Sequence, residues 1–168
     1  MLSHYAVHTP LQARPDLKAT YELKAAALYG KDPAPGRPER NAFTKVRQDH
    51  PTYAAMVDSV DRSVGRILHA LDTMRLAERT VVVFVSDNGG LSTLPSSRAN
   101  APTANLPLRA SKGWLYEGGI RVPAIIRGPG VKTPGRVIDA PAITNDLCPP
   151  LSKWGQTRLG VRASASRV

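Results

Sequence analysis

Apolar positions along the chain fall into three strand-like runs and two helical stripes. Thr80–Gly90 reads TVVVFVSDNGG, and Val81 to Val85 are β-branched or aromatic with no polar alternation. Such a run suits a strand buried on both faces, as in a parallel sheet beneath helices. Leu2–Val7 and Pro123–Arg127 are the other strand-like segments, the latter overlapping a strand expected over Ile120–Ile126. Helical spacing appears in Gln12–Tyr29, where Leu17, Tyr21, Ala25 and Leu28 recur at i, i+4, i+8 and i+11 and Pro15 suits the first turn. It is clearest in Pro51–Leu76, where Val57, Val60, Val64, Ile67, Leu68 and Leu71 form one stripe. Asp58 and Arg62 make an i,i+4 pair on its flank, and Asp61 lies beside it as a capping or interhelical partner. Helix, short AERT link and buried strand form an αβ unit, so the expected class is α/β, a doubly wound sheet flanked by helices. Three strands fall short of the roughly five or six of an average sheet, so the sheet is expected to be partial.

Two stretches break the periodicity. Gly30–Pro51 carries Pro33, Pro35, Gly36, Pro38 and Pro51 and reads as a long surface excursion, with a solvated His50 inside it. Leu91–Leu108 is rich in Ser, Pro, Asn and Ala; directly after the carboxyl end of a strand it is either a substrate-facing wall or disorder.

Composition narrows the class of partner. The formal charge is +10, which raises nucleic-acid binding through counterion release. However, no acid follows Asp146, where Lys153, Arg158, Arg162 and Arg167 contribute +4; the preceding part carries +6 from 19 basic and 13 acidic residues. No basic run with interleaved aromatics occurs, so a basic cleft for an anionic substrate is the better reading, and no nucleic-acid partner is expected. No apolar run approaches the roughly 20 residues that span a bilayer, and the amino terminus lacks a basic region followed by an apolar one, so no membrane span and no signal peptide are expected. One cysteine, Cys148, excludes an internal disulfide and a multi-cysteine zinc site.

Candidate chemistry clusters at three places. Asp87 and Asn88 leave the Val81–Val85 strand at its carboxyl end, where open α/β sheets bind ligands, and offer the hard oxygens that Ca²⁺ or Mg²⁺ takes. An ordinary Asx/Gly turn is the alternative for SDNGG alone. His8, in HTP, can bind an anion or protonate a leaving group. Lys112 stands between Ser111 and Gly113, small neighbours that let an ammonium approach an anion closely.

HTPLQA, VVFVSDNGG and LRASKGWLYEGGIRVP with a GPG turn after it, in that order, resemble the sulfatase family of the alkaline phosphatase superfamily over roughly residues 1 to 148. The resemblance implies an alkaline phosphatase-like fold and a sulfuric ester hydrolase acting on aryl sulfates or sulfated polysaccharides. It implies that Asp87 and Asn88 are two ligands of an active-site Ca²⁺, that His8 lies near the sulfate and leaving-group oxygen, and that Lys112 contacts a sulfate oxygen. Glu117, Gly118, Gly119 and Arg121 match EGGIRVP, taken as mainly structural. A cation and a lysine holding nonbridging oxygens, with an imidazolium on the leaving group, are suited to sulfate ester hydrolysis.

The family's nucleophile, a formylglycine made from Cys or Ser in C/S-x-P-x-R, is absent. In Thr93-Leu94-Pro95-Ser96-Ser97-Arg98, Thr93 stands in the nucleophile position and Arg98 falls one residue late; Cys148, followed by Pro149, Pro150 and Leu151, does not match either. Relatives carry that residue and two further metal-binding aspartates before the HTP segment, and two oxygen donors cannot supply the six to eight that Ca²⁺ prefers. The expectation is therefore a truncated sulfatase module over 1–148 whose isolated product is inactive. ITNDLCPP resembles the family's entry into a helix, after which residues 149–168 form a basic tail, either a frame change or a divergent end. Relatives are often exported, but nothing in this chain directs it anywhere. A phosphoesterase or phosphonate hydrolase of the same superfamily, and a non-catalytic basic binding protein, are the alternatives.

Overall fold

The structure, a computed structural model, describes residues 1–32, 35–95 and 101–147. It divides into two units, Met1–Val131 and Lys132–Val168. In the second, the described residues form one 3₁₀ turn, Thr144–Leu147, in which Asp146 accepts from the Ile143 amide at 2.8 Å. Cys148 and the basic tail lie outside the described residues.

In the first unit both helices form as the spacing requires. Helix α1 (Pro15–Tyr29) opens on Pro15 and closes on Gly30, whose φ of 59° lets its amide return to Ala26. Helix α2 runs Pro51–Thr73, three residues shorter than the stripe suggests, because Arg75 turns the chain at φ 56°. The two pack together, with Leu17, Ala55 and Met56 buried and Tyr21 donating to Asp58 at 3.3 Å. Along the α2 stripe Val60, Val64, Leu68 and Leu71 are half-buried while Val57 and Ile67 are exposed.

Strands differ more from expectation. Leu2–Val7 forms no strand; a turn follows instead, with the His8 amide donating to Tyr5 O at 3.0 Å. Strand β3 (Val82–Val85) forms where the apolar run predicts, but it is half-buried with Val85 exposed, and its partner β5 (Ala124–Arg127) is antiparallel, Val82 facing Arg127 and Val85 facing Ala124. The expected parallel burial is thus not seen among the described residues: a run without alternation specifies a strand, but not the direction of its neighbour.

Gly30–Pro51 is not a structureless excursion. It holds the hairpin β1 (Gly36–Glu39) and β2 (Ala42–Lys45), turned at Arg40-Asn41, with Arg40 at φ 54°. The short strand β4 (Thr93–Leu94), inside the second irregular stretch, pairs antiparallel with Phe43 and Thr44 to give a sheet ordered β1-β2-β4. Proline and glycine masked this hairpin because β1 is an edge strand, where Pro38 needs no ladder donor. His50 is not solvated: half-buried, it caps α2 by accepting the Tyr53 amide at its Nδ1, 3.4 Å away. Burial, then the positive charge of Lys45, holds its pKa below the ordinary histidine value.

Candidate active site

Small residues build the ground under the site. Thr44, Ser92, Thr93, Ala101, Thr103, Ala104, Ala110, Ser111, Gly118 and Gly119 are all buried, so β4, the 101–111 segment and the start of α3 (Glu117–Ile120) meet backbone to backbone. Their hydroxyls are satisfied within this layer: Ser92 donates to Ala110 O at 3.0 Å, the Thr93 amide donates to Ser111 Oγ at 3.1 Å, and Thr44 and Thr93 share a bond of 2.8 Å. Gln48 joins through Thr103 Oγ1, which donates to its Oε1 at 2.7 Å, and through a bond from its Nε2 to Ala104 O.

The SDNGG turn sits directly on this layer. Asp87 is exposed and Asn88 half-buried, with Ser86 Oγ donating to Asn88 O at 2.9 Å. Gly89 donates its amide to Gly119 O at 2.9 Å, and Gly90 O accepts the Lys112 amide at 3.2 Å. Glycine is required where the strands of the loop touch: a Cβ on Gly89 would run into Gly118 O, and one on Gly118 into the Arg109 and Ala110 carbonyls. Lys112 is half-buried on a tight turn closed by Trp114 N to Ser111 O at 3.0 Å, with Gly113 at φ 88°. Asp87, Asn88 and Lys112 therefore ride on one hydrogen-bonded assembly.

His8 stands apart. It is exposed, its Nδ1 donates to Thr9 O at 2.7 Å, and its ring packs 5.3 Å from Tyr5, centroid to centroid. That bond places a proton on Nδ1 and leaves Nε2 facing outward. No described hydrogen bond ties it to Asp87, Asn88 or Lys112. Glu117 and Arg121 pair at 3.5 Å across α3, both more than half exposed, so Ile120 ends a helical turn and the strand expected over Ile120–Ile126 forms only from Ala124.

Sequence reasoning missed three residues. Asn105 Nδ2 lies within reach of four acceptors, Gly90 O at 2.7 Å, Gly118 O at 3.0 Å, Ala110 O at 3.1 Å and Ser92 Oγ at 3.2 Å, and so pins the SDNGG turn to the lysine loop. Buried Glu39 accepts from Arg109 Nη2 at 2.6 Å and from its Nε at 3.2 Å. The Arg109 bond, with its charge behind it, keeps the Glu39 carboxyl below the usual carboxylate range. Both contacts join residues far apart in sequence, which no local pattern reveals.

Divalent metal fits this turn only in part. Asp87 and Asn88 give two oxygen donors, and among the described residues no three His, Cys, Asp or Glu side chains gather as a metal site. Among the described residues no helix is long and apolar enough to cross a membrane.

Two solved structures are similar to this chain in fold. The crystal structure of Ps i-CgsB covers 96% of this chain at TM-score 0.66 and 29% identity, and that of Ps i-CgsB in complex with k-i-k-neocarrahexaose covers 95% at TM-score 0.62 and 28% identity. The fold is thus a partial α/β domain of the alkaline phosphatase-like class. A family model described as Sulfatase matches residues 1–157. Over 164 residues the chain is 37% identical to a sulfatase of Formosa agariphila, covering 92% of this chain and 25% of that protein. It is 37% identical over 114 residues to mouse steryl-sulfatase, covering 67% of this chain and 18% of that protein. This chain belongs to the sulfatase family, and it spans about a quarter or less of the length of these curated relatives.

Proposed function

We propose that residues 1–148 supply part of the catalytic domain of a sulfuric ester hydrolase, the part in which a metal-facing turn and a sulfate-facing lysine meet. The observation that carries this reading is the pair of bonds joining Gly89 to Gly119 and Gly90 to Lys112. They hold the Asp87-Asn88 turn against the lysine loop without using a side chain that the chemistry needs.

In this reading Asp87 and Asn88 are two of the ligands of a Ca²⁺, which when bound supplies positive charge to the sulfate's nonbridging oxygens. Lys112 places its ammonium on a further sulfate oxygen, a fixed charge aimed where negative charge is held. His8, with Nδ1 committed to Thr9 O, has Nε2 to deliver a proton to the departing oxygen. The substrate class is a sulfate monoester, aryl or carbohydrate; the carbohydrate choice is supported by the oligosaccharide bound in the similar structure. The sequence contains no C/S-x-P-x-R motif to yield formylglycine, so the isolated chain should not turn over sulfate esters.

A chimera tests the reading. Residues 1–147 replace the matching segment of the Formosa agariphila relative, and turnover of 4-nitrophenyl sulfate is compared with that of 4-nitrophenyl phosphate. Preference for the sulfate supports the assignment; preference for the phosphate moves the chain to the phosphoesterase reading.

A further inference from the structure

Glu39, at the edge of the lysine loop, is bonded by one guanidinium and lies in the field of two more. Arg37 and Arg40, on β1 and its turn, and Arg109, three residues before Lys112, all place positive charge near Glu39. Glu39 is buried and holds Arg109 through three contacts, while half of the Arg109 side chain stays open to solvent. Arg109 lies over the Tyr116 ring, 4.1 Å from guanidinium carbon to centroid. Arg40 donates to the Tyr116 hydroxyl at 2.8 Å, its own guanidinium carbon 5.8 Å from the same ring. Trp114 stacks on Tyr116 at 6.2 Å with 21° between planes.

This arrangement is built rather than incidental. A guanidinium fixed by a buried carboxylate and an aromatic face loses little freedom when its remaining N–H groups take a further acceptor. Collecting three cations around one anion leaves an excess of positive charge, and an arriving oxyanion relieves it. Half-buried aromatic rings beside those N–H groups offer their remaining exposed surface to a sugar ring carrying an anionic substituent, with its sulfate on arginine.

We propose that Arg40, Arg109, Tyr116 and Trp114 form a subsite for a second sulfated sugar ring, next to the lysine loop, which selects sulfated oligosaccharides over small aryl sulfates. The proposal rests on the sulfatase reading for its substrate class, but its test needs no turnover. Single-stranded nucleic acid combines phosphate with flat bases and is the rival ligand.

The whole 168-residue chain is titrated with a heparin-derived hexasaccharide, with the same hexasaccharide after desulfation, and with an oligonucleotide of matched charge, reading Trp114 fluorescence in a Trp154→Phe background. Saturable quenching by the sulfated hexasaccharide is expected, with none by the desulfated one and binding at least roughly tenfold weaker for the oligonucleotide. Arg40 is exposed at a turn, so Arg40→Ala removes its bond to the Tyr116 hydroxyl but no buried group. It should weaken the sulfated ligand about tenfold, the loss of one charge-assisted contact. Lys24→Glu, an exposed charge change on α1, should leave binding within about twofold. Equal binding by Arg40→Ala, an equal loss in Lys24→Glu, equal affinity for the desulfated sugar, or tighter binding of the oligonucleotide would each overturn the subsite. A failure of the chimera to cleave sulfate esters would instead overturn the activity and leave these affinities as they are.

Discussion

The amide of Gly89 donates to the carbonyl of Gly119 over 2.9 Å, joining the end of the only long β-branched run to the EGG turn thirty residues on. That contact demands two residues without side chains, because a Cβ on Gly89 would overlap Gly118 O. Gly89→Ala should therefore destabilise the fold by about 1–3 kcal/mol, the usual cost of overpacking. Urea unfolding of the variant beside Gly65→Ala checks it, since Gly65 faces open space and sits within α2, where alanine is the better helix former. Equal midpoints for the two variants would refute the close approach.

Asn105 is the second clamp. Replacing it with leucine leaves the Gly90, Ala110 and Gly118 carbonyls without this donor and should cost about 1–3 kcal/mol. Amide exchange distinguishes this from a general loss of packing. The Lys112 and Gly89 amides should lose protection first in Asn105→Leu, while those of α2 keep theirs.

How much of this was legible in the sequence follows from the range of each interaction. Helices α1 and α2 were readable because a 3.6-residue apolar period and prolines at their starts are local signals. Strand β3 and the turn after it were readable for the same reason. The hairpin was hidden by Pro38 and Gly36, which read as breakers and yet sit on an edge strand, Gly36 leaving room for the Phe43 ring. The Leu2–Val7 run shows the opposite failure, a strand-like composition that finds no partner strand among the described residues. Asp87, Asn88 and Lys112 were candidates on local grounds and gained weight once three motifs were taken together. The bonds of Asn105 to Gly90, Ser92 and Gly118 and the Glu39–Arg109 pair join residues 13 to 70 apart, beyond any local pattern.

Acid should lower the stability of the chain over two pH ranges. The folded pKa of His50 is lowered, by burial first and by Lys45 next, so the unfolded state binds the proton more readily and stability falls as pH drops below about 6.5. Burial works to raise the Asp49 carboxyl, but hydrogen bonds from Lys45 and Arg47 outweigh it, so its folded value is lowered; Glu39 is lowered by Arg109. Their contribution is complete above about pH 5 and is lost as pH falls through the folded values. His50→Asn keeps a helix-capping acceptor and removes the imidazole, so its melting temperature should not fall between about pH 7 and 5 while the loss at lower pH remains. An unchanged profile would show that His50 is not the group responsible.

Lys45 is buried against Asp49, with 2.5 Å between ammonium and carboxylate. Asp49→Ala strands that charge and should destabilise by about 3–5 kcal/mol, whereas Lys45→Met with Asp49→Leu should recover most of the loss. Thermal melts of the three proteins decide this; equal losses in the single and double variants would contradict it.

The most direct test of the metal-and-lysine assignment is steady-state turnover of 4-nitrophenyl sulfate by the chimera carrying residues 1–147, as the parent, as Asp87→Ala and as Lys112→Ala, with and without added Ca²⁺. Each substitution should lower kcat/KM by about a hundredfold or more, and Asp87→Ala should in addition remove the response to Ca²⁺. Full activity in either variant, or an Asp87→Ala protein that still responds to Ca²⁺ as the parent does, would contradict the account.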